Sequence, residues 1–222
     1  MCGISGYVGF DLNTNDFKDA GQLQNHRGPD FNGIYEYKNS DYRILLGHNR
    51  LAIIDIDERS NQPFVDSNNK FIIVFNGEVY NFKFLLKKYI KPKNIPIRTS
   101  SDTEVVMLLI KHYGISIISE FKGMFSFAIF DKISNKLFIV RDRMGVKPLH
   151  FHFSRNQLFF SSEIKFIKKF TDNELNINSL NSFLQLGYTP RNQSIYQKIN
   201  KVSPGSYIEY DLITNKFKSV KY

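Results

Sequence analysis

Apolar residues in this chain arrive in short bursts separated by polar, glycine-containing or proline-containing segments. Residues 2–10, CGISGYVGF, are apolar and punctuated by glycine, which predicts a strand. A polar stretch over 11–26 follows, and FKDAGQLQNH within it predicts a short helix. RGPDFNGIYEY opens with a Gly-Pro turn and continues into aromatic and β-branched residues. YRILLGHNRLAIIDI, residues 42–56, predicts one or two strands, and DERSNQP after it a loop. The run Phe71–Phe75 predicts a strand ending at Asn76-Gly77, a dipeptide favoured in tight hairpin turns. Beyond it a second short strand and then a helix over NFKFLLKKYI are expected.

The periodicity then changes. Val105, Val106, Leu108, Leu109 and His112 recur at helical spacing, so a helix is predicted over 103–113. Ser101 or Asp102 suits its N-cap, and Glu104 puts a negative charge in the first turn, where the helix dipole favours it. Residues 121–163 return to short apolar runs broken by KISNK, RDRMGVK and SRNQ, the punctuation of hairpins. EIKFIKKF and SLNSFLQLGY predict two further helices. GSYIEYDLITNKFKSVKY predicts a closing hairpin that turns near Thr214-Asn215. Hairpins with helices between them, and no regular β-α-β alternation, predict an α+β fold of antiparallel sheets with packed helices.

The chain has 222 residues, 42% of them hydrophobic, with 21 Phe and 12 Tyr. A chain of this length buries roughly 70% of the surface it exposes when unfolded, so a sizeable core is expected. The net charge is +9, from 30 Lys and Arg against 21 Asp and Glu. Such a charge raises the question of a nucleic acid or a membrane surface as partner. The densest basic groups, LLKKYIKPKN and EIKFIKKF, are instead interleaved with apolar residues at helical spacing. That is the pattern of solvated faces on amphipathic helices, and neither partner is expected. The N-terminus lacks a basic n-region and a long apolar h-region, and the apolar runs are too short to span a bilayer. The expected location is therefore cytoplasmic.

The single cysteine is residue 2, which excludes an internal disulfide framework. Taken alone, it is more often an incidental residue of a first strand. Its position offers another option. Initiator methionine is commonly removed when the second residue is small, and removal leaves Cys2 with a free α-amine of pKa about 7.7–8.0. That amine is able to take the thiol proton, an attested way to activate a nucleophile at a chain terminus. Gly3 lets the backbone approach a substrate closely.

Five stretches occur in order after this start: Cys2-Gly3-Ile4, HRGPD (26–30), GHNRLAIID (47–55), FNGEVYN (75–81) and SSDTE (100–104), with RDRMGVKPL (141–149) as a sixth. The set resembles the glutaminase domain of class II, N-terminal-nucleophile glutamine amidotransferases, and within them that of glutamine-hydrolysing asparagine synthetases. The resemblance covers nearly the whole chain. It implies a four-layer αββα sandwich with two stacked antiparallel sheets, and hydrolysis of the glutamine side-chain amide through a γ-glutamyl thioester on Cys2. It also implies an oxyanion hole made by the Asn76 side chain and the Gly77 N–H. Arg50 matches the ligand of the glutamine α-carboxylate, and Asp102 the partner of the α-ammonium. Glu78 matches a second contact on that side, and the backbone of Leu51, Ala52, Ile53 and Ile54 lines the pocket. Without the resemblance, Asn76-Gly77 is a plain turn, Arg50 a surface charge and Asp102 a helix cap.

Arg27 and Asp30 are expected to shape the turn beneath the site, and RDRMGVKPL to form a loop near the ammonia exit without catalytic charges. His150, where the family usually carries Tyr, is expected to be packing variation. Residues 2–222 are expected to form the glutaminase domain. The SGGxDS loop of the family's ATP-dependent synthetase domain is absent from this sequence. No metal and no cofactor are expected in this domain, ATP and Mg belonging to the missing one. The implied partners are L-glutamine and an ammonia-accepting synthetase domain or subunit; the oligomeric state, a homodimer included, stays open. Three alternatives stay open: a synthetase of another kind, an N-terminal-nucleophile amidase with a different substrate, and a non-catalytic remnant of the fold.

Overall fold

Side chains alternate between the faces of a strand, so a strand covered on both sides must be apolar at successive positions. Phe71–Phe75 and Phe125–Phe130 are such runs, and the computed structural model, which describes residues 1–154, 156–172 and 174–222, puts both in the middle of one sheet. That sheet has six strands in the order β12 (Lys216–Lys221), β11 (Ser206–Asp211), β7 (Lys136–Arg141), β6 (Gly123–Asp131), β5 (Phe71–Val79) and β4 (Phe64–Val65). The other sheet also has six, in the order β10 (Asn200–Lys201), β8 (His150–Ser154), β9 (Gln157–Ser161), β1 (Gly3–Val8), β3 (Arg43–Arg50) and β2 (Phe31–Lys38). Their ladders are antiparallel.

Three apolar cores separate four layers. The inner core lies between the sheets, with Ile4, Val8, Ile44 and Leu46 from one facing Ile72, Val74, Ala128 and Phe130 from the other. The opposite face of the first sheet packs Tyr7, Leu45 and Phe159 under helix α1 (Thr14–Gln22). The opposite face of the second packs Phe71, Ile73, Phe75 and Phe127 under a central helix over Asp102–Tyr113. This is the α+β, αββα sandwich with two stacked antiparallel sheets that the motif set implies.

Local differences from the sequence pattern have physical causes. Asn76-Gly77 is no hairpin turn: β5 runs straight through it, pairing Asn76 with Ser126 and Gly77 with Phe125. An Asn-Gly turn needs its flanks to pair with each other, and here both flanks pair with β6 instead. The strand predicted over 42–56 stops at Arg50, and Ile53 and Ile56 of the following loop are largely exposed. The helix predicted over NFKFLLKKYI is one α turn, α2 (Phe82–Leu85), followed by a π turn over Leu86–Ile90. Pro92 blocks a regular continuation, because it lacks an amide hydrogen and crowds the preceding turn. The central helix, α3, is capped by Ser101, whose Oγ accepts from the Thr103 amide at 3.1 Å, and not by Asp102. EIKFIKKF yields one turn, α4 (Ile164–Ile167), and SLNSFLQLGY enters α5 (Ile177–Leu186), which ends before its last two residues at the left-handed Gly187.

Candidate active site

The inner-facing positions of β1 and β3 are the even-numbered ones, and so are those of β5. Continuing that alternation to the same end of the sandwich brings Cys2, His48 and Arg50 together with Asn76. A cavity of about 120 Å³ opens there. It is lined by Cys2, Arg50, Leu51, Ile53, Ile54, Asn76, Gly77, Glu78 and Asp102, which are all of the residues expected there except Ala52. Ala52 is not among the lining residues; its N–H donates to Asp30 Oδ2 at 2.8 Å, which anchors the loop.

Cys2 is half-buried, and its Sγ faces the Leu51 peptide, 3.4 Å from the amide nitrogen and 3.6 Å from the carbonyl oxygen. Burial pushes its thiol up. The Leu51 amide, the charge at the chain N-terminus, Arg50 and Arg27 pull in the opposite direction without cancelling that. Met1 borders the same cavity.

Asn76 is 1% exposed, yet among the described residues neither its Nδ2 nor its Oδ1 has a hydrogen-bond partner. An unsatisfied buried amide costs about 1–3 kcal/mol, so in this cavity wall it calls for a partner from the cavity, water or ligand. Gly77 sits at φ +145°, and a Cβ there would lie 2.1 Å from the Met124 carbonyl oxygen. Only glycine fits.

The charged groups divide by sign. Arg50 is 7% exposed, and its guanidinium is held by the carbonyl oxygens of Asp55 and Asp57 and by Asn61 Oδ1 at 2.7 Å. Among the described residues it has no carboxylate partner. Asp102 is 3% exposed and accepts from the Val79 N–H at 2.9 Å. Burial first, and then the nearby Glu78 charge, push its carboxyl up to about 6, against amide hydrogen bonds that lower it. Among the described residues, neither the Arg50 guanidinium nor the Asp102 carboxylate in this cavity wall is in an ion pair.

Sequence reasoning missed several supports. Gln62 accepts from the Phe75 N–H at 2.6 Å and reaches Thr103, tying the loop after β3 to β5 and α3. No sequence signal marks it. Lys147 of RDRMGVKPL is 5% exposed and lines the cavity, so this loop contributes to its wall. His48 bridges the sheets, its Nε2 lying 3.0 Å from the Phe75 carbonyl oxygen, one residue before Asn76. Arg27 does shape the site from below, donating from Nε to the Cys2 carbonyl at 2.9 Å. His150 begins β8 outside the cavity; burial and the Arg141 charge lower it to about 4, which suits packing.

Among the described residues no cluster of His, Cys, Asp and Glu could hold a metal ion, and no helix is long and apolar enough to cross a membrane.

Comparison with known proteins places this geometry. The family model described as "Glutamine amidotransferase domain" matches residues 1–222. A Methanocaldococcus jannaschii protein with the provisional name asparagine synthetase [glutamine-hydrolyzing] 2 is 35% identical, over 100% of this chain and 46% of its own length. Asparagine synthetase [glutamine-hydrolyzing] 2 of Bacillus subtilis is 32% identical, over 100% of this chain and 30% of its own. The chain thus spans less than half the length of these relatives. In fold it is similar to glutamine phosphoribosylpyrophosphate amidotransferase of B. subtilis, with TM-score 0.69 and 21% identity over 99% of this chain and 49% of that one. The cysteine at position 2, the cavity that gathers it with Asn76 and Gly77, and the match along the whole chain lead to one assignment: this chain belongs to the glutamine amidotransferase domain family, and it is homologous to the glutaminase domains of asparagine synthetases.

Proposed function

We propose that residues 2–222 hydrolyse glutamine to glutamate and ammonia, with Cys2 as nucleophile once Met1 is removed, and that the ammonia passes to an ATP-dependent synthetase domain or subunit. The observation that carries the reading is the buried Asn76 amide, unpartnered among the described residues, in one cavity with the thiol. Sγ attacks the glutamine side-chain carbonyl carbon, and its proton passes to the α-amine of Cys2. The carbonyl oxygen becomes an oxyanion facing Asn76 Nδ2–H and the Gly77 N–H, donors that need no reorganisation when charge develops. The α-amine returns its proton to the leaving nitrogen as the C–N bond breaks, giving ammonia and a γ-glutamyl thioester. Water, deprotonated by the same amine, then cleaves the thioester and releases glutamate.

Selectivity for a free amino acid follows from the charges. Arg50, already aimed by backbone carbonyls, takes the α-carboxylate, and Asp102 takes the α-ammonium. An acyl amide without those groups leaves both charges buried and unpaired, a large penalty. The cytoplasm suits a reduced catalytic thiol. No ATP or Mg is assigned to this domain; both belong to the acceptor.

The test is intact-mass analysis after exposure to a diazo ketone analogue of glutamine, with glutamate release measured in parallel. One adduct on Cys2 in chains lacking Met1, and no glutamate from Cys2→Ala or from chains retaining Met1, is the expected outcome. Full activity in either altered form overturns the mechanism.

A further inference from the structure

We propose that Glu163 is a positioning residue for the nucleophile: it fixes the Arg27 guanidinium, and Arg27 holds the carbonyl oxygen of Cys2. This rests on the proposed role of Cys2 as nucleophile.

The need for such a device follows from the proposed removal of Met1. The β1–β3 ladder begins at the Gly3–Asn49 pair, so Cys2 lies outside it. In a chain that starts at Cys2, nothing precedes the residue to restrain it. Its own carbonyl is the backbone group left to anchor, and the bond from Arg27 Nε at 2.9 Å anchors it.

Arg27 in turn has to be held. Its side chain is 9% exposed, Nη1 lies 3.3 Å from Glu163 Oε1, and among the described residues Nη2 is buried without a hydrogen-bond partner. Glu163 is thus its counter-ion. That carboxylate also meets His26 Nε2 at 2.7 Å and Lys165 Nζ at 3.0 Å. Burial pushes its carboxyl up, but hydrogen bonds from Lys165, His26 and Arg27 outweigh burial and hold it below the usual glutamate range. Its backbone is fixed too. The segment just before it clamps β1, with the Ser162 N–H on the Ile4 carbonyl at 2.9 Å and the Ile4 N–H on Ser162 Oγ at 3.0 Å. Neither Arg27 nor Glu163 lines the cavity, so the effect argued for them passes through Cys2, whose carbonyl Arg27 holds. Without Glu163, a nearly buried guanidinium lacks its counter-charge and swings towards water, releasing the Cys2 carbonyl.

The experiment uses the full chain with removal of Met1 verified by mass. Glu163→Ala, Glu163→Gln and Glu163→Asp are compared with wild type in glutamine turnover, in the rate of Cys2 alkylation by iodoacetamide across pH, and in thermal unfolding. Glu163→Ala and Glu163→Gln are expected to lower kcat by about tenfold to a hundredfold, the scale of a misplaced reacting group, with KM within about twofold. Both are expected to shift the pH profile of alkylation, and Glu163→Asp to restore most of kcat. Adding Glu163→Gln to Arg27→Lys should cost no more than Arg27→Lys alone. A folded Glu163→Gln protein with wild-type kcat and alkylation profile overturns the proposal, as does one in which KM alone changes. Alkylation requires no turnover, so it tests Glu163 even if the wild type releases no glutamate, a result that would count against the glutaminase reading instead.

Discussion

His48 should make this fold acid-sensitive in a way that one substitution removes. Its ring is fully buried between the sheets, and burial first, with the Arg50 charge assisting, lowers it from 6.5 to about 4 in spite of the Phe75 carbonyl hydrogen bond. In the unfolded chain the ring regains its ordinary value. Between about pH 6.5 and 4 the unfolded chain therefore binds a proton that the folded one refuses, and stability falls as pH falls through that window. The full difference of about 2.5 units corresponds to about 3.4 kcal/mol. At about pH 5 the share already lost is about 2 kcal/mol relative to about pH 7.5. His150, also lowered to about 4, adds a loss of the same sign. Asp102, raised to about 6, works against both, because a carboxyl that protonates more readily when folded gains stability on acidification. The whole-protein slope therefore mixes signs, and a single-site difference is needed. His48→Gln keeps an N–H donor for the Phe75 carbonyl and does not titrate. Urea unfolding of both proteins at about pH 7.5 and 5 is the assay. The wild type should lose about 2 kcal/mol more than the variant, roughly a 1 M difference in midpoint shift. Equal acid sensitivity in the two, within about 0.5 kcal/mol, would show that His48 is not held neutral by burial.

Further outcomes follow from the cavity. If Asp102 meets the α-ammonium as proposed, its protonation removes that charge, so KM for glutamine should rise as pH falls through about 6 while kcat changes less, and Asp102→Asn should have a high KM that no longer responds there. Steady-state kinetics across pH checks both. Asn76→Ala should lower kcat by about 10²- to 10³-fold with little change in KM, as for loss of one oxyanion donor. A KM effect alone would instead make Asn76 a substrate ligand. Gly77→Ala puts a Cβ 2.1 Å from the Met124 carbonyl at a φ that disfavours it, so the variant should unfold at lower temperature and lose turnover together. Unchanged melting in calorimetry would mean that β5 and β6 separate there with ease.

The ordered motifs named most of the residues that the cavity gathers, because the proposed chemistry demands particular atoms: a thiol, an amide donor, a guanidinium and a carboxylate. Alternation of apolar positions carried the sheets, since each strand buried on both faces leaves its mark locally. What the pattern misread depended on remote partners. Asn76-Gly77 has the local chemistry of a turn, and only pairing with β6, some fifty residues later in the chain, holds it straight. LAIIDI looks like a strand by composition, yet it leaves the sheet at Arg50, where the charge of that residue is wrapped by the carbonyls of Asp55 and Asp57.

Supports of the site were silent in the sequence for the same reason. Gln62 and Glu163 are ordinary polar residues until folding sets one against the Phe75 amide and the other against Arg27, more than a hundred residues away. The sequence by itself determined which groups could react and which faces had to be buried, because both are properties of side chains and their spacing. Only the tertiary structure decided how the reacting groups are aimed, because aiming depends on hydrogen bonds and charges contributed by strands and loops distant along the chain.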